Sequence, residues 1–299
     1  MAQKKFIYDE FGIISADFFN IDLANDNRRF LNPYNIGLIN HPVAIESTRV
    51  AVHFFESVRQ ELLAGNVERA ESLFCRYLTE PRETCLGYAT NGVYGKGINE
   101  LAQYIINQIY YEDNHLINEI KRIEDIKLYI DNVADDRVSD IYTNVIRGVL
   151  LRYTEEQCDL HGIPLVLQKS KAYWNPSTAS WEYTVCRHFV WHKDNNVKLL
   201  VPKCFIGGVS YTLSKLINKV ILSDLTELEV RDTNSSIRKL HKDNTPYVTK
   251  KDMRLKLRQN QIALDKAYAR KYSKENFGCS LRLRESIEDK IFNNSSCFK

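Results

Sequence analysis

The sequence predicts an α+β fold, with a mainly helical N-terminal half followed by a mixed half that carries a small sheet. Three observations lead there. Apolar residues recur at helical spacing between about residues 43 and 161, they alternate at strand spacing around residues 180–192, and the sign of the charge changes between the two regions. Residues 1–161 hold 16 Lys and Arg against 25 Asp and Glu, a net of −9, whereas residues 162–299 hold 25 against 13, a net of +12. The expected division is therefore an acidic, mainly α-helical domain over 1–161 and a basic α+β domain over 162–299. A chain of 299 residues that is 44% hydrophobic is long enough to bury a full core in either one or two domains.

Composition also excludes classes of function. No apolar run reaches the 18 or so residues that span a bilayer, and MAQKKFIYDEFG lacks the apolar stretch of a signal peptide. The seven cysteines are widely spread and form no C-x-x-C pair, so reduced thiols and a cytoplasmic chain without a membrane partner are expected.

In chain order, the clusters Phe6-Ile7-Tyr8 and Phe18 to Leu23 read as one or two short strands. The Asn-, Gly- and Pro-rich run 24–42, with Asp26, Arg28 and Arg29, reads as a loop. Ala44, Thr48, Ala51, Phe55, Val58 and Leu62 step by three and four, which predicts a helix over 43–64 that Gly65 ends. His53 on it has no evident partner. Asn66 can cap a second helix to Leu78, and Pro81 bars its continuation.

Gly92, Gly95 and Gly97, with Lys96 among them, make a loop able to bring backbone amides to an anion, and the helix starting near Asn99 would aim its positive end there. A phosphate-binding Walker loop needs a glycine where Thr90 stands and Ser or Thr where Gly97 stands, so the loop is either a structural turn or an anion site of another kind. Ile117, Ile120, Ile123 and Ile126 predict a helix over 116–130 whose Glu and Lys residues form a solvated side.

The stretch 133–158 holds the most distinctive chemistry. On a helix, Asp136, Asp140, Asn144 and Arg147 fall within about 80° of arc, bordered by Ser139 and Thr143, while most of the remaining circumference is apolar. A polar stripe on such a helix is either paired internally or faces a cleft. In the cleft reading these four are catalytic candidates, and Asp136 with Asp140 is the pair to hold a divalent metal. In the structural reading the acids cap the helix and Asp140 pairs with Arg147.

Beyond Gly162, alternation places Trp181, Tyr183, Val185, Phe189 and Trp191 on one face of a strand, and Asp194-Asn195-Asn196 turns the chain into a second strand over 197–201. Cys158 with His161, and Cys186 with His188, match no zinc-ligand spacing, and the acid plus Glu-x-Lys signature of restriction-type nucleases is missing from any strand-like stretch. Helical period returns over 210–228, a polar connector covers 231–244, and Thr249 with Asp252 starts a helix expected to reach residue 273. At its beginning Lys250, Lys251, Arg254 and Arg258 share an arc of about 100°, the best candidate for a surface that contacts nucleic-acid phosphates.

Three functions are compatible with these features. The first is a bacterial-type cytosolic protein that binds or acts on nucleic acid, a metal-dependent hydrolase if the carboxylates hold an ion. The second is a non-catalytic subunit of a multi-protein complex, such as an antiviral defence complex, meeting an acidic protein surface with its basic half. The third is an enzyme on a small phosphorylated ligand held by Gly92, Gly95, Lys96 and Gly97.

Overall fold

The computed structural model describes residues 5–87 and 98–295. Its first half is helical: α1 (Ile7–Phe11), α2 (Pro33–Ile36), α3 (Pro42–Leu63), α4 (Val67–Cys75), α5 (Ile98–Asn107), α6 (Leu116–Glu119), α7 (Ile126–Tyr129) and α8 (Asp135–His161). Five strands follow: β1 (Leu165–Lys169), β2 (Tyr173–Asn175), β3 (Ser180–Glu182), β4 (Val185–Trp191) and β5 (Asn196–Lys198). The chain ends in α9 (Leu213–Leu216), α10 (Leu222–Arg231), the short strands β6 (Lys239–Leu240) and β7 (Pro246–Tyr247), and α11 (Lys250–Gln259), α12 (Lys266–Glu275) and α13 (Cys279–Ser295). The fold is α+β, with a helical first half and a mixed second half.

Among the described residues the strands pair antiparallel, in a three-stranded sheet of order β1-β4-β5 and the two ribbons β2-β3 and β6-β7. The larger apolar core draws on both sides of residue 161: Phe54, Phe74, Ile105, Ile141 and Ile146 pack in one cluster with Trp174, Phe205, Leu216, Val220 and Leu283. A smaller cluster sets Ile7, Phe18 and Ile21 against Phe189, Trp191 and Leu200. At Gly148 the ribbon closes on α8 so tightly that an added Cβ would lie 2.7 Å from the Tyr173 ring.

The helix predicted over 43–64 is α3, buried along Ala44, Ala51, Phe55, Val58 and Leu62, and Gly65 leaves it at φ +79°. Several local expectations are corrected. The opening residues form α1 and isolated bridges (Phe6 with Asp22, Phe18 with Pro202) instead of strands, because Gly12 turns the chain left-handed after one helical stretch. The stretch 116–130 is α6, a 3₁₀ turn at Ile123–Asp125 and α7, not one helix. Isoleucines spaced by three residues drift around an α-helix, whereas a turn of three residues keeps them on one side. The supposed solvated side is also buried, with Glu119, Glu124 and Asp125 each under 5% exposed.

The strand expected over 181–191 divides at Tyr183 and Thr184, where Thr184 pairs with Ser170, so β3 joins one ribbon and β4 another sheet. Tyr183 and Val185 are consequently exposed while His188 is buried. The return strand stops at Lys198, and the amides of Leu199 and Leu200 bond Glu83 and Thr154 instead of a ladder partner. The helix expected from Thr249 to residue 273 breaks at Gln261, whose φ is +58°, and Asp265 caps α12 afresh through the Tyr268 amide.

Candidate functional site

The polar stripe on α8 separates into two ends. At the buried end, Arg147 Nε donates to Glu83 Oε1 at 2.7 Å, Nη2 to Asn144 Oδ1 at 2.8 Å, and Nη1 to the Ala172 carbonyl. Lys171 Nζ holds the other Glu83 oxygen at 2.7 Å. Asn144 donates to the carbonyls of Thr79 and Asp140, each at 2.7 Å, and Ser139 receives the Leu31 amide. Every polar group of this end is thus satisfied within the fold. Burial pushes the Glu83 carboxyl up, but Arg147 and Lys171 overcome it and hold it below the usual carboxylate range.

Asp140 is not the partner of Arg147, contrary to the pairing expected in the structural reading; the chain recruits Glu83 from 64 residues away. The open end keeps Asp136 and Asp140. Burial raises the Asp140 carboxyl to about 7, against the pull of Arg137 and with the help of Glu80, Asp136 and Asp26. Asp136 approaches Arg137 only at 4.0 Å. Among the described residues no group of three or more His, Cys, Asp and Glu side chains is placed to share a metal ion, so the metal reading of Asp136 and Asp140 gains no third ligand there. The same holds for Cys186 and His188, which touch each other at 3.4 Å. Gly92, Gly95, Lys96 and Gly97 lie outside the described residues.

Four acids that the sequence does not single out organise the interior. Glu124 and Asp125 hold Arg284 at 3.0 and 2.9 Å, and Tyr211 donates to Asp125 at 2.7 Å. Glu119 receives Tyr129, the Ser280 amide and the Gly278 amide. With Glu83, these carboxylates meet residues from the basic half, as do Asp113 and Asp131 on Arg270, and Glu155 and Asp159 on Arg187. Much of the charge asymmetry is therefore taken up in docking one half against the other. The signal available in the sequence is that three of these acids lie among closely spaced isoleucines, an environment that a solvated face does not require.

The family model described as "Domain of unknown function (DUF8370)" matches residues 12–213, more than half of the chain. The chain belongs to that family. No curated protein and no solved structure matches it. The matched region contains the α8 stripe and the three-stranded sheet and ends at the first residue of α9.

Beyond that point lie the basic candidates of α11. Thr249 caps the helix through the Asp252 amide, as its spacing with Asp252 predicts. Met253 and Leu257 face the core, which turns Lys251 and Arg258 to solvent. Lys250 and Arg254 reach the backbone oxygen and the Oδ1 of Asn218, the latter at 2.8 Å. The acids of the neighbourhood are directed elsewhere, Asp252 to Lys239 and Glu229 to Lys256. Among the described residues none of Lys250, Lys251, Arg254 and Arg258 forms an ion pair.

Proposed function

We propose that the protein is a cytoplasmic nucleic-acid-binding protein that grips phosphates with Lys250, Lys251, Arg254 and Arg258. The observation that supports this reading is the contrast inside the basic half. Arg187, Arg270 and Arg284 are matched by carboxylates of the acidic half, whereas the four cations of α11 are matched by none among the described residues. A helix face of unneutralised cations releases counterions when it meets a polyanion, which favours nucleic acid without requiring base contacts. The cytoplasmic part of the reading draws on the free cysteines and on there being no helix, among the described residues, long and apolar enough to cross a membrane. Hydrolysis is left out of the proposal because Asp136 and Asp140 lack a further grouped ligand among the described residues.

Binding of DNA and RNA duplexes and single strands, measured against salt concentration, tests the proposal. The wild type is expected to bind all of them with a steep salt dependence, and replacement of all four cations by Ala to lower the slope by about one for each phosphate that is no longer neutralised. Absence of binding at low salt, or an unchanged slope in the variant, would sink the reading. Equal binding of polyglutamate would favour an acidic protein surface as the partner instead.

A further inference from the structure

We infer that Lys169, Tyr183, Tyr77 and Arg76 form a stacking platform for the bases of a single-stranded nucleic acid. The inference rests on the nucleic-acid reading and sharpens it, naming the form of the polymer and a second contact surface made of residues outside α11.

The platform begins at the break between β3 and β4. Extended backbone puts Trp181 and Tyr183 on one side of the chain and Glu182 on the other, and the change of sheet leaves Tyr183 at the surface, 48% exposed. Trp181 is the inner anchor: its Nε1 donates to the Leu73 carbonyl at 2.8 Å, and its ring meets those of Phe54 and Trp174 at steep angles, 5.4 and 5.9 Å between centroids. Where α4 ends, Phe74 and Leu78 turn into the core, which holds Tyr77 at the rim and Arg76 in solvent. The Tyr77 centroid then lies 5.8 Å from that of Trp181 and 6.2 Å from that of Tyr183. A cation closes the row at each end. The Arg76 guanidinium sits 5.4 Å from the centre of the Tyr77 ring, and Lys169 Nζ sits 4.6 Å from the centre of the Tyr183 ring, reaching it from β1, where Lys169 lies opposite Val185 of β4.

Each member of this row is in ring contact with the next, and the two outer members carry charge. Among the described residues neither Arg76 nor Lys169 forms an ion pair. The acids close by in sequence are engaged elsewhere: Glu182 accepts from Asn175 and Thr178, Glu83 holds Arg147 and Lys171, and Glu80 acts on Asp140. Val185, 64% exposed, extends the apolar surface next to Lys169. Exposed cation–π contacts are weak, so an arriving phosphate draws the two cations off their rings and a base takes the uncovered face. Aromatic rings flanked by unneutralised cations are the two ingredients by which proteins hold single strands, and the stacking tolerates any base because every base has a π-face. A duplex keeps its base faces covered and offers the tyrosines nothing. An acidic peptide satisfies the cations but brings no planar group to the rings, so rings and charge together select the single strand.

The test uses the full chain, with a fluorescently labelled oligothymidylate, a DNA duplex of the same length and polyglutamate as probes, and with Tyr183→Phe, Tyr183→Leu and Lys169→Gln as variants. Anisotropy titrations are expected to show that Tyr183→Phe, which keeps the ring, binds the single strand as the wild type does, whereas Tyr183→Leu, which keeps only apolar bulk, binds it about fivefold or more weakly. Lys169→Gln, an exposed change that leaves the packing alone, should lower the single-strand salt slope by about 0.7. Duplex binding through α11 should be the same in all three, which also establishes that they fold. Undiminished single-strand binding by Tyr183→Leu, or polyglutamate that competes as well as the oligonucleotide, overturns the platform. If the duplex still binds through α11 in that case, the functional reading survives without it; if the single strand binds in a Tyr183-dependent way and the duplex does not bind, the platform stands and the role of α11 falls.

Discussion

Two helices carry polar stripes of nearly the same width, and the fold uses them in opposite ways. On α8 the stripe meets Glu83 and the Ala172 carbonyl, so Arg147 is buried at 2% exposure with each of its three side-chain nitrogens donating a hydrogen bond. On α11 the stripe meets, among the described residues, only the uncharged carbonyl and side chain of Asn218, and its outer members Lys251 and Arg258 stay in solvent. The difference lies in the partners, which come from 64 and 36 residues away along the chain. A stripe whose charge is answered within the molecule stabilises it; one whose charge goes unanswered is available to another molecule.

The comparison breaks most visibly at Arg147. Its removal leaves Glu83 buried with Lys171 as its one remaining cationic partner and strands the Ala172 carbonyl, while Asn144 Oδ1 keeps the Thr79 amide. Breaking a buried pair on one side costs about 3–5 kcal/mol, so Arg147→Ala should unfold at markedly lower denaturant or not fold at all. A loss below about 1 kcal/mol in chemical unfolding would show that the network is dispensable, and would make the buried end of the stripe a candidate site again.

How much of this was legible in the sequence depends on the range of the interaction. The helical period of α3, the long α8, the Thr249 cap and the turn at Asn195 are local, and the sequence determines them within a few residues. The halves and their class also follow from period and charge. Strands β1 and β2 went unpredicted because they owe their existence to partners about 20 and 7 residues downstream, not to a pattern of their own. Glu83 and Glu119 look like surface acids in sequence and are core acids in the fold, since their partners are distant in the chain: Arg147 and Lys171 for Glu83, the Gly278 and Ser280 amides for Glu119. The π turns at Gln108–Glu112 and Ile217–Ile221 give no sequence signal; around the second, LSKLINKVILSDL reads as ordinary helix.

At the open end of the same stripe the expected change has the opposite sign. Asp140 has a folded pKa of about 7 against an ordinary 3.8. The folded state therefore binds a proton more readily than the unfolded chain, and the stability this lends is present at low pH and lost as pH rises from about 4 through 7. Asp140→Asn removes the penalty. A shift of this size corresponds to at most about 4 kcal/mol, which partial solvent access reduces to about 1–2 kcal/mol. Above pH 7 the variant should melt higher than the wild type, and below pH 4 the two should converge. A lower melting temperature for Asp140→Asn at neutral pH would mean that its carboxylate is a structural acceptor, and the contrast between the two ends of α8 would be lost.

The smallest effect on stability belongs to the outer residues of α11. Lys251 and Arg258 are exposed and, among the described residues, form no ion pair, so neither removal strands a buried partner. Ala has a helix propensity at least equal to that of Lys and Arg, and exposed substitutions of this kind stay within about 0.5 kcal/mol. Lys251→Ala with Arg258→Ala should thus leave the melting curve almost unchanged in low salt, or raise it slightly as repulsion along the arc is relieved. The same double variant is the one for which a loss of nucleic-acid affinity can be read without correcting for folding. If instead it destabilises the protein by more than about 1 kcal/mol, these side chains have partners within the fold, and α11 would belong with the buried end of α8.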